Sequence, residues 1–189
     1  MKDKKRCPWV KDGDTLYAAY HDAEWGVPVH DDRTHFEFLV LEAAQAGLSW
    51  RTVLGKREEY RKVFKNFNPR LVAKFGAADL AKMLNNKGLI RNRLKLGSAI
   101  KNARHFLEVQ KEFGSFDKYV WKFVDGKPLV HKILTAKDYP VTTPEAIALS
   151  NDLKKRGFTF VGPTVIYAHM QATGLANDHV VGCWRRSKI

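Results

Sequence analysis

One acid of this 189-residue chain lies inside an apolar segment. Glu42 follows Phe36 and Leu39 at helical spacing, and Trp50 comes soon after a glycine break at Gly47. A buried carboxylate without a partner is strongly destabilising, so the pattern predicts a partner for Glu42, which a ligand can supply. Trp50 is placed to present a flat aromatic face to the cleft in which such a ligand would meet Glu42.

Four possible metal ligands lie near the two ends of the chain: Cys7 and His21, then His179 and Cys183. If the second pair is helical, its H-x3-C spacing puts both side chains on one face. Together the four make a Cys2His2 set suited to tetrahedral Zn²⁺, and a site with four protein ligands is structural rather than catalytic. It would staple the termini together. The alternative is two buried cysteines and two unrelated histidines.

The composition points to a polyanionic partner. The chain holds 33 Lys and Arg against 20 Asp and Glu, a net charge of +13. This favours nucleic acid first and an anionic membrane surface second, although a basic surface can also serve solubility. With no apolar run long enough to span a bilayer and no signal peptide, we expect a cytoplasmic protein with reduced cysteines.

The positive charge is concentrated around a predicted helix–hairpin–helix unit near residues 77–112. Its turn, 85–90, and the start of the following helix supply Lys87, Gly88 and Arg91 as candidate DNA contacts. Backbone N–H groups and the positive end of a helix favour phosphate there. A solvated helix face is the alternative. Eight basic residues occupy this region: Lys82, Lys87, Arg91, Arg93, Lys95, Lys101, Arg104 and Lys111.

The remaining periodicity predicts an all-α fold of about ten helices in a single domain, residues 1–189, after a basic tail at 1–6. In the first helix, Tyr17, Tyr20 and His21 share one face. A later helix, 91–113, is expected to turn Leu94 inward. Segment 58–67 is predicted to be helical, and 177–183 to form a last helical turn.

Several of these segments resemble the bacterial 3-methyladenine DNA glycosylase I family, a branch of the helix–hairpin–helix superfamily. The matching blocks follow the family's order along essentially the whole chain. They are Cys7–Pro8–Trp9, the segment Leu16–Pro28 with its Tyr-x-x-Tyr-His-Asp-x-Glu-Trp-Gly motif, Glu42–Trp50, Lys154–Phe158, and Asn177–Cys183 with the sequence Asn-Asp-His-Val-Val-Gly-Cys.

The resemblance implies excision of 3-methyladenine from double-stranded alkylated DNA by a monomeric, monofunctional enzyme without lyase activity. The family's zinc ligands fall on Cys7, His21, His179 and Cys183, and its base-binding, catalytic carboxylate falls on Glu42. Its aromatic pocket falls on Tyr17, Tyr20 and Trp50, with Trp9 and Trp25 nearby. The family's turn that approaches the gap left by the flipped base falls on Gln45–Leu48, with Gly47 and Leu48 as DNA contacts and Leu48 as the wedge.

The implied chemistry suits these residue types. N3-methylation makes adenine a cationic leaving group, which aromatic faces and a carboxylate both favour. Segment 91–111 contains no aspartate to assist water attack, in agreement with a labile lesion. Two other classes remain open: a zinc-stapled module that recognises alkylated bases without cutting, and a basic RNA-binding protein.

Overall fold

The computed structural model describes residues 4–189, so the first half of the predicted basic tail, 1–3, lies outside the described residues. Over this range the fold is mostly helical. The ten helices found there are α1 Thr15–Ala23, α2 Asp32–Gln45, α3 Trp50–Leu54, α4 Arg57–Val63, α5 Pro69–Val72, α6 Ala77–Asn85, α7 Arg93–Phe113, α8 Phe116–Trp121, α9 Pro144–Lys155 and α10 Pro163–Ala172.

Short non-α elements complete the architecture. Strand β1 (Leu129–Val130) pairs in parallel with β2 (Ala176–Asn177), with Leu129 opposite Ala176. Three 3-10 turns cover Lys122–Val124, Ala136–Asp138 and Arg186–Lys188. The two-residue ladder ties the segment before α9 to the segment after α10, which an all-α prediction does not include.

Local sequence explains where the site-bearing helices begin. Asp14 caps α1 by accepting a hydrogen bond from the Tyr17 N–H at 3.1 Å, and Ser49 caps α3 through the Thr52 N–H at 3.2 Å. These caps satisfy N–H groups that a helix start leaves open. The Ser49 cap makes Trp50 the first residue of α3.

Two apolar clusters form the core. The larger surrounds α2 and α7 and includes the stacked rings of Phe106 and Phe116, whose centroids are 4.1 Å apart. The smaller lies beside the chain ends and includes Tyr20 and Trp25. Trp50 packs against both clusters. The aromatic side chain that the sequence singled out therefore stands where the two clusters meet.

Three local predictions were wrong. Segment 177–183 is not helical, because β2 and a turn with Gly182 at φ 88° occupy it. Leu94 is 71% exposed, since the inward face of α7 begins at Leu96. The helix predicted through Phe67 ends at Val63, and a left-handed stretch, 65–67, follows it. Phe67 is nonetheless fully buried, as the apolar pattern required.

Among the described helices, none is both long and apolar enough to cross a bilayer.

Candidate functional site

A cavity of about 490 Å³ opens beside the smaller cluster. That volume lies in the range of ligand-binding clefts. Aromatic residues are the most numerous kind in its wall, and the polar groups include one acid and two amides. The lining residues are Pro8, Trp9, Tyr17, Tyr20, Trp25, Glu42, Gln45, Trp50, Ala136, Tyr139, Pro140, Ala168 and Gln171. The predicted Glu42, Tyr17, Tyr20 and Trp50 all line this one cavity.

The aromatic wall is built by rings that brace one another. Tyr20 of α1 lies 5.5 Å from Trp50 between ring centroids, and Trp9 lies 5.1 Å from Trp25 in an edge-to-face contact. Trp9 also meets Tyr17 edge to face at 5.5 Å. Such contacts hold large rings in single orientations. The cavity therefore offers preformed flat faces to a planar ligand.

Glu42 is the acid of this cavity. Glu42 is 5% exposed, and no residue among 4–189 forms a hydrogen bond with its carboxyl group. Burial raises the pKa of Glu42 to about 8. The raised pKa favours the protonated, uncharged form of Glu42 near neutral pH, and a neutral carboxyl group is less costly to bury without a partner. A cationic ligand would favour its ionised form.

One other polar atom of the wall also lacks a partner. The indole Nε1 of Trp50 is buried without a hydrogen bond to any described residue. Buried polar atoms are nearly always hydrogen-bonded, so an unsatisfied one commonly marks a place where a ligand or water binds. Trp50 lines the cavity.

Sequence reasoning missed Tyr139 and Gln171 in the wall. The segment around Tyr139 has weak periodicity and gave no signal. Gln171 sits in an apolar helix, and its amide Nε2 donates to Asp178 at 2.7 Å. Asp178 is fully buried and also bonds His131 and the Tyr167 hydroxyl. This polar network fixes one end of the Gln171 side chain at the pocket edge.

The four predicted metal ligands come together. Cys7, His21, His179 and Cys183 are all buried, and their ligand atoms lie within 4.8 Å of one another. The Cys183 Sγ is 3.4 Å from both His21 Nε2 and His179 Nδ1. The hydrogen bond from Cys7 holds the pKa of the Cys183 thiol well below its usual range. Because 177–183 is not helical, a turn rather than a helix face places the second pair.

Both histidines of this cluster carry orienting contacts on the other ring nitrogen. His179 Nε2 donates to the Trp25 carbonyl at 3.0 Å, and His21 Nδ1 donates to the Asp22 carboxylate at 2.9 Å. Each contact fixes the tautomer so that the nitrogen facing the thiols carries no proton. His21 Nε2 also accepts a hydrogen bond from the Cys7 backbone N–H at 3.3 Å. This is the arrangement that metal-ligating histidines show, so the residues present fit a bound metal.

The turn after α2 protrudes beside the cavity. Gly47 adopts φ 76°, a conformation that favours glycine, and Leu48 is 40% exposed. The Leu48 N–H donates to the Gln45 carbonyl at 2.7 Å, while Gln45 Nε2 donates to the Leu48 carbonyl at 3.0 Å. The predicted wedge is therefore a closed four-residue turn, called the insertion turn below (residues 45–48).

The predicted hairpin lies between α6 and α7. Lys87 and Arg91 are exposed there. Gly88 is enclosed instead, because a Cβ at this position would lie 2.4 Å from Glu59 Cγ. The Gly88 N–H already donates to Asn86 Oδ1 at 2.8 Å. The two side chains, rather than the Gly88 N–H, are available to a phosphate.

The fold and the site define a mostly helical protein with a cavity lined by aromatic rings and one buried acid. A family model described as methyladenine glycosylase matches residues 9–186. DNA-3-methyladenine glycosylase 1 of Escherichia coli (strain K12) is 49% identical over 179 residues, covering 95% of each chain. The chain belongs to the methyladenine glycosylase family.

Solved structures agree with this membership. A crystal structure of a 3-methyladenine DNA glycosylase I is 49% identical, with a TM-score of 0.92 over 95% of this chain and 98% of that one. A variant of 3-methyladenine DNA glycosylase I in complex with 3-methyladenine is 34% identical, with a TM-score of 0.92 over 96% and 97% of the two chains. The compact helical fold is common to all three.

Proposed function

We propose that this chain is a DNA-3-methyladenine glycosylase of base-excision repair. It hydrolyses the N-glycosidic bond of 3-methyladenine in alkylated double-stranded DNA and leaves an abasic site. Family membership supports this activity, and one observation in the site carries it: Glu42, an unpartnered buried acid, lies in the wall of an aromatic cavity.

The aromatic wall and the acid provide selectivity through charge. A flipped 3-methyladenine carries a positive charge while it is attached to deoxyribose, and normal adenine does not. Each aromatic stack with a base contributes about 1–3 kcal/mol, and an electron-poor ring is favoured further. The cation also lowers the pKa of Glu42, which then releases its proton and accepts hydrogen bonds from the base. Neutral adenine brings no such gain.

The reaction needs little further assistance from side chains. The bond between C1′ and N9 breaks, its electrons pass to the base, and 3-methyladenine leaves as a neutral molecule. Water adds its oxygen to C1′ and loses one proton to solvent. Glu42 is catalytic in the sense that it holds the leaving group. We assign no aspartate to water activation and no lyase step.

The Cys/His cluster serves the pocket as a structural centre. We propose that Cys7, His21, His179 and Cys183 hold one Zn²⁺ with tetrahedral geometry and no open position. Two thiols and two correctly oriented imidazoles suit that ion better than Mg²⁺ or Ca²⁺. The metal would join the two ends of the chain behind the aromatic wall.

DNA approaches through the hairpin and the insertion turn. Lys87 and Arg91 contact phosphates, and Leu48, supported by the tight turn at Gly47, fills the space left by the flipped base. The pocket draws on α1, α2, α3, α10 and the loop at 136–140, so we propose that residues 1–189 work as one domain and as a monomer in the bacterial cytosol.

The decisive experiment measures release of free 3-methyladenine from methylated duplex DNA. We expect release by the purified protein and a large loss in Glu42→Gln, while the affinity for undamaged DNA is retained. Protein that binds methylated DNA tightly and leaves the base attached would instead be a recognition module. Tight RNA binding without preference for alkylated DNA would point to the third class.

A further inference from the structure

Lys95 is a basic residue of α7 whose side chain does not face solvent freely. Its ammonium donates to two backbone carbonyls at the end of α2, that of Ala44 at 2.9 Å and that of Ala46 at 2.5 Å. Lys95 is half-buried, whereas Arg91 and Arg93 just before it are exposed. Burial lowers the pKa of the Lys95 ammonium. Its charge is thus directed into the protein.

The carbonyls that Lys95 binds belong to a helix end that needs a partner. Helix α2 ends at Gln45, and the following residue, Ala46, leaves helical conformation with φ −45° and ψ 116°. The last turn of α2 contains no basic residue of its own. A cation at a helix C-terminus both satisfies open carbonyls and favours the helix dipole. Lys95 supplies that cation from a distant part of the sequence.

The insertion turn begins at this helix end. Ala46 is its second residue, and Gln45 lines the cavity while closing the turn against Leu48. The position of Leu48 therefore follows the position of the α2 carbonyls. Two hydrogen bonds between Gln45 and Leu48 close the insertion turn, with Gly47 at φ 76°. Its placement relative to the rest of the protein depends on the contacts of Lys95 with the end of α2.

The other end of Lys95 is anchored in the hairpin. Asn92 caps α7 by accepting hydrogen bonds from the backbone N–H groups of Leu94 and Lys95, at 3.0 and 3.1 Å. Asn92 comes directly after Arg91, the proposed phosphate contact. Lys95 thus connects the backbone of the hairpin, through its N–H, with the backbone of the insertion turn, through its ammonium group.

We propose that Lys95 is a positioning residue that couples DNA binding at the hairpin to entry of Leu48 into the duplex. It contacts no phosphate. When the hairpin is seated on the DNA backbone, Lys95 holds the insertion turn at the depth and angle that base flipping requires. This inference rests on the proposed function for the role of the insertion turn.

The test compares Lys95→Met, which keeps the apolar stem, with Lys118→Met, which removes one exposed charge from α8. Three quantities are measured: affinity for free 3-methyladenine, base release from methylated duplex, and affinity for a duplex with a tetrahydrofuran abasic site relative to an intact one. For Lys95→Met we expect unchanged affinity for the free base and a loss of about tenfold or more in base release, since small misplacements are costly.

In Lys95→Met the preference for the abasic duplex over the intact duplex should fall together with base release. The salt dependence of binding to intact DNA should stay as in wild type. A salt slope reduced by about 0.9 would make Lys95 a phosphate contact and overturn the proposal. Base release and abasic preference equal to those of Lys118→Met would overturn it too. Wild-type protein that releases no base would refute the proposed function alone, because the abasic preference still tests Lys95.

If Lys95→Met fails to fold, Lys95→Arg provides the same test. A guanidinium can donate to both carbonyls, so Lys95→Arg should retain the abasic preference with the wild-type salt slope. In a folded Lys95→Arg protein that binds the free base normally, a lost abasic preference or a salt slope lowered by about 0.9 would overturn the proposal.

Discussion

Trp25 and His179 join the aromatic pocket to the Cys/His cluster. Their rings meet edge to face with centroids 4.7 Å apart, and the Trp25 carbonyl accepts a hydrogen bond from His179 Nε2 at 3.0 Å. Trp25 lines the cavity, while the other nitrogen of His179 faces the two thiols. Disturbing the cluster should therefore reach the pocket.

Cys183→Ser should lower both stability and base affinity. Loss of one ligand weakens the metal site, and the free energy of metal binding is part of the free energy of folding. A loss of about 3 kcal/mol corresponds to a fall in Tm of roughly 6–12 °C for a chain of this size. Melting curves, zinc content and the Kd for 3-methyladenine are the measurements.

The control for Cys183→Ser is Val181→Ser, an exposed position in the same turn. It should keep the metal, the Tm and the affinity for the base. Retention of one equivalent of zinc by Cys183→Ser with an unchanged Tm would contradict the structural role of the cluster.

Glu42→Gln should change how stability depends on pH. The folded state keeps the Glu42 proton up to about pH 8, whereas the unfolded chain loses it near pH 4.3. Between these values the folded state binds more protons, so the wild type loses stability as pH rises, by up to about 1.4 kcal/mol per pH unit. The glutamine variant lacks this loss, so we expect its stability relative to wild type to increase from pH 5 to pH 8.

Urea unfolding at pH 5, 6.5 and 8 measures this difference. Glu58→Gln, which removes an exposed acid from α4, is the matched control. If the difference in unfolding free energy between Glu42→Gln and wild type is the same at all three pH values, Glu42 is already ionised in the folded protein.

The pocket should bind a permanent cation more tightly as pH rises. At pH 6 the Glu42 proton must leave when 3,9-dimethyladeninium enters, and above about pH 8 it has already left. Affinity should therefore rise by up to about tenfold per pH unit below that value and then level off. Calorimetric titration from pH 6 to pH 9 measures it.

Neutral 9-methyladenine serves as the control ligand, because it has nearly the same shape without the charge. The ratio of the two affinities should rise with pH in wild type and stay constant in Glu42→Gln. A constant ratio in wild type would show that another group recognises the charge.

Lys87→Ala and Arg91→Ala should each weaken DNA binding evenly across sequences. Both side chains are exposed at the hairpin. Removing one phosphate contact lowers the slope of log K against log salt by about 0.9. Fluorescence anisotropy with intact duplex over a range of salt concentrations measures the slope. The control Lys118→Ala, on α8, should leave the salt slope unchanged. An unchanged slope in Lys87→Ala or Arg91→Ala would exclude that residue from the DNA interface.

The local sequence pattern was sufficient to predict much of the helical framework. The Ser49 cap, the helix that carries Glu42, and the proline that begins α5 after Asn68 all follow from short-range rules of backbone hydrogen bonding. The same rules wrongly predicted a helical turn over 177–183, near the end of the chain. H-x3-C spacing fits a helix, but a turn at Gly182 brings His179 and Cys183 together equally well, and spacing alone does not distinguish the two.

The sequence by itself determined the residue types of the site: an acid in an apolar helix, aromatic rings around it, and two cysteines with two histidines. Only the tertiary structure decided their arrangement. It added Tyr139 and Gln171 to the wall of the cavity, placed the Cys/His cluster behind Trp25, and directed the Lys95 side chain to the carbonyls at the end of α2. Periodicity reports which face of a helix is apolar, whereas these contacts join segments far apart in the chain and depend on how whole elements pack.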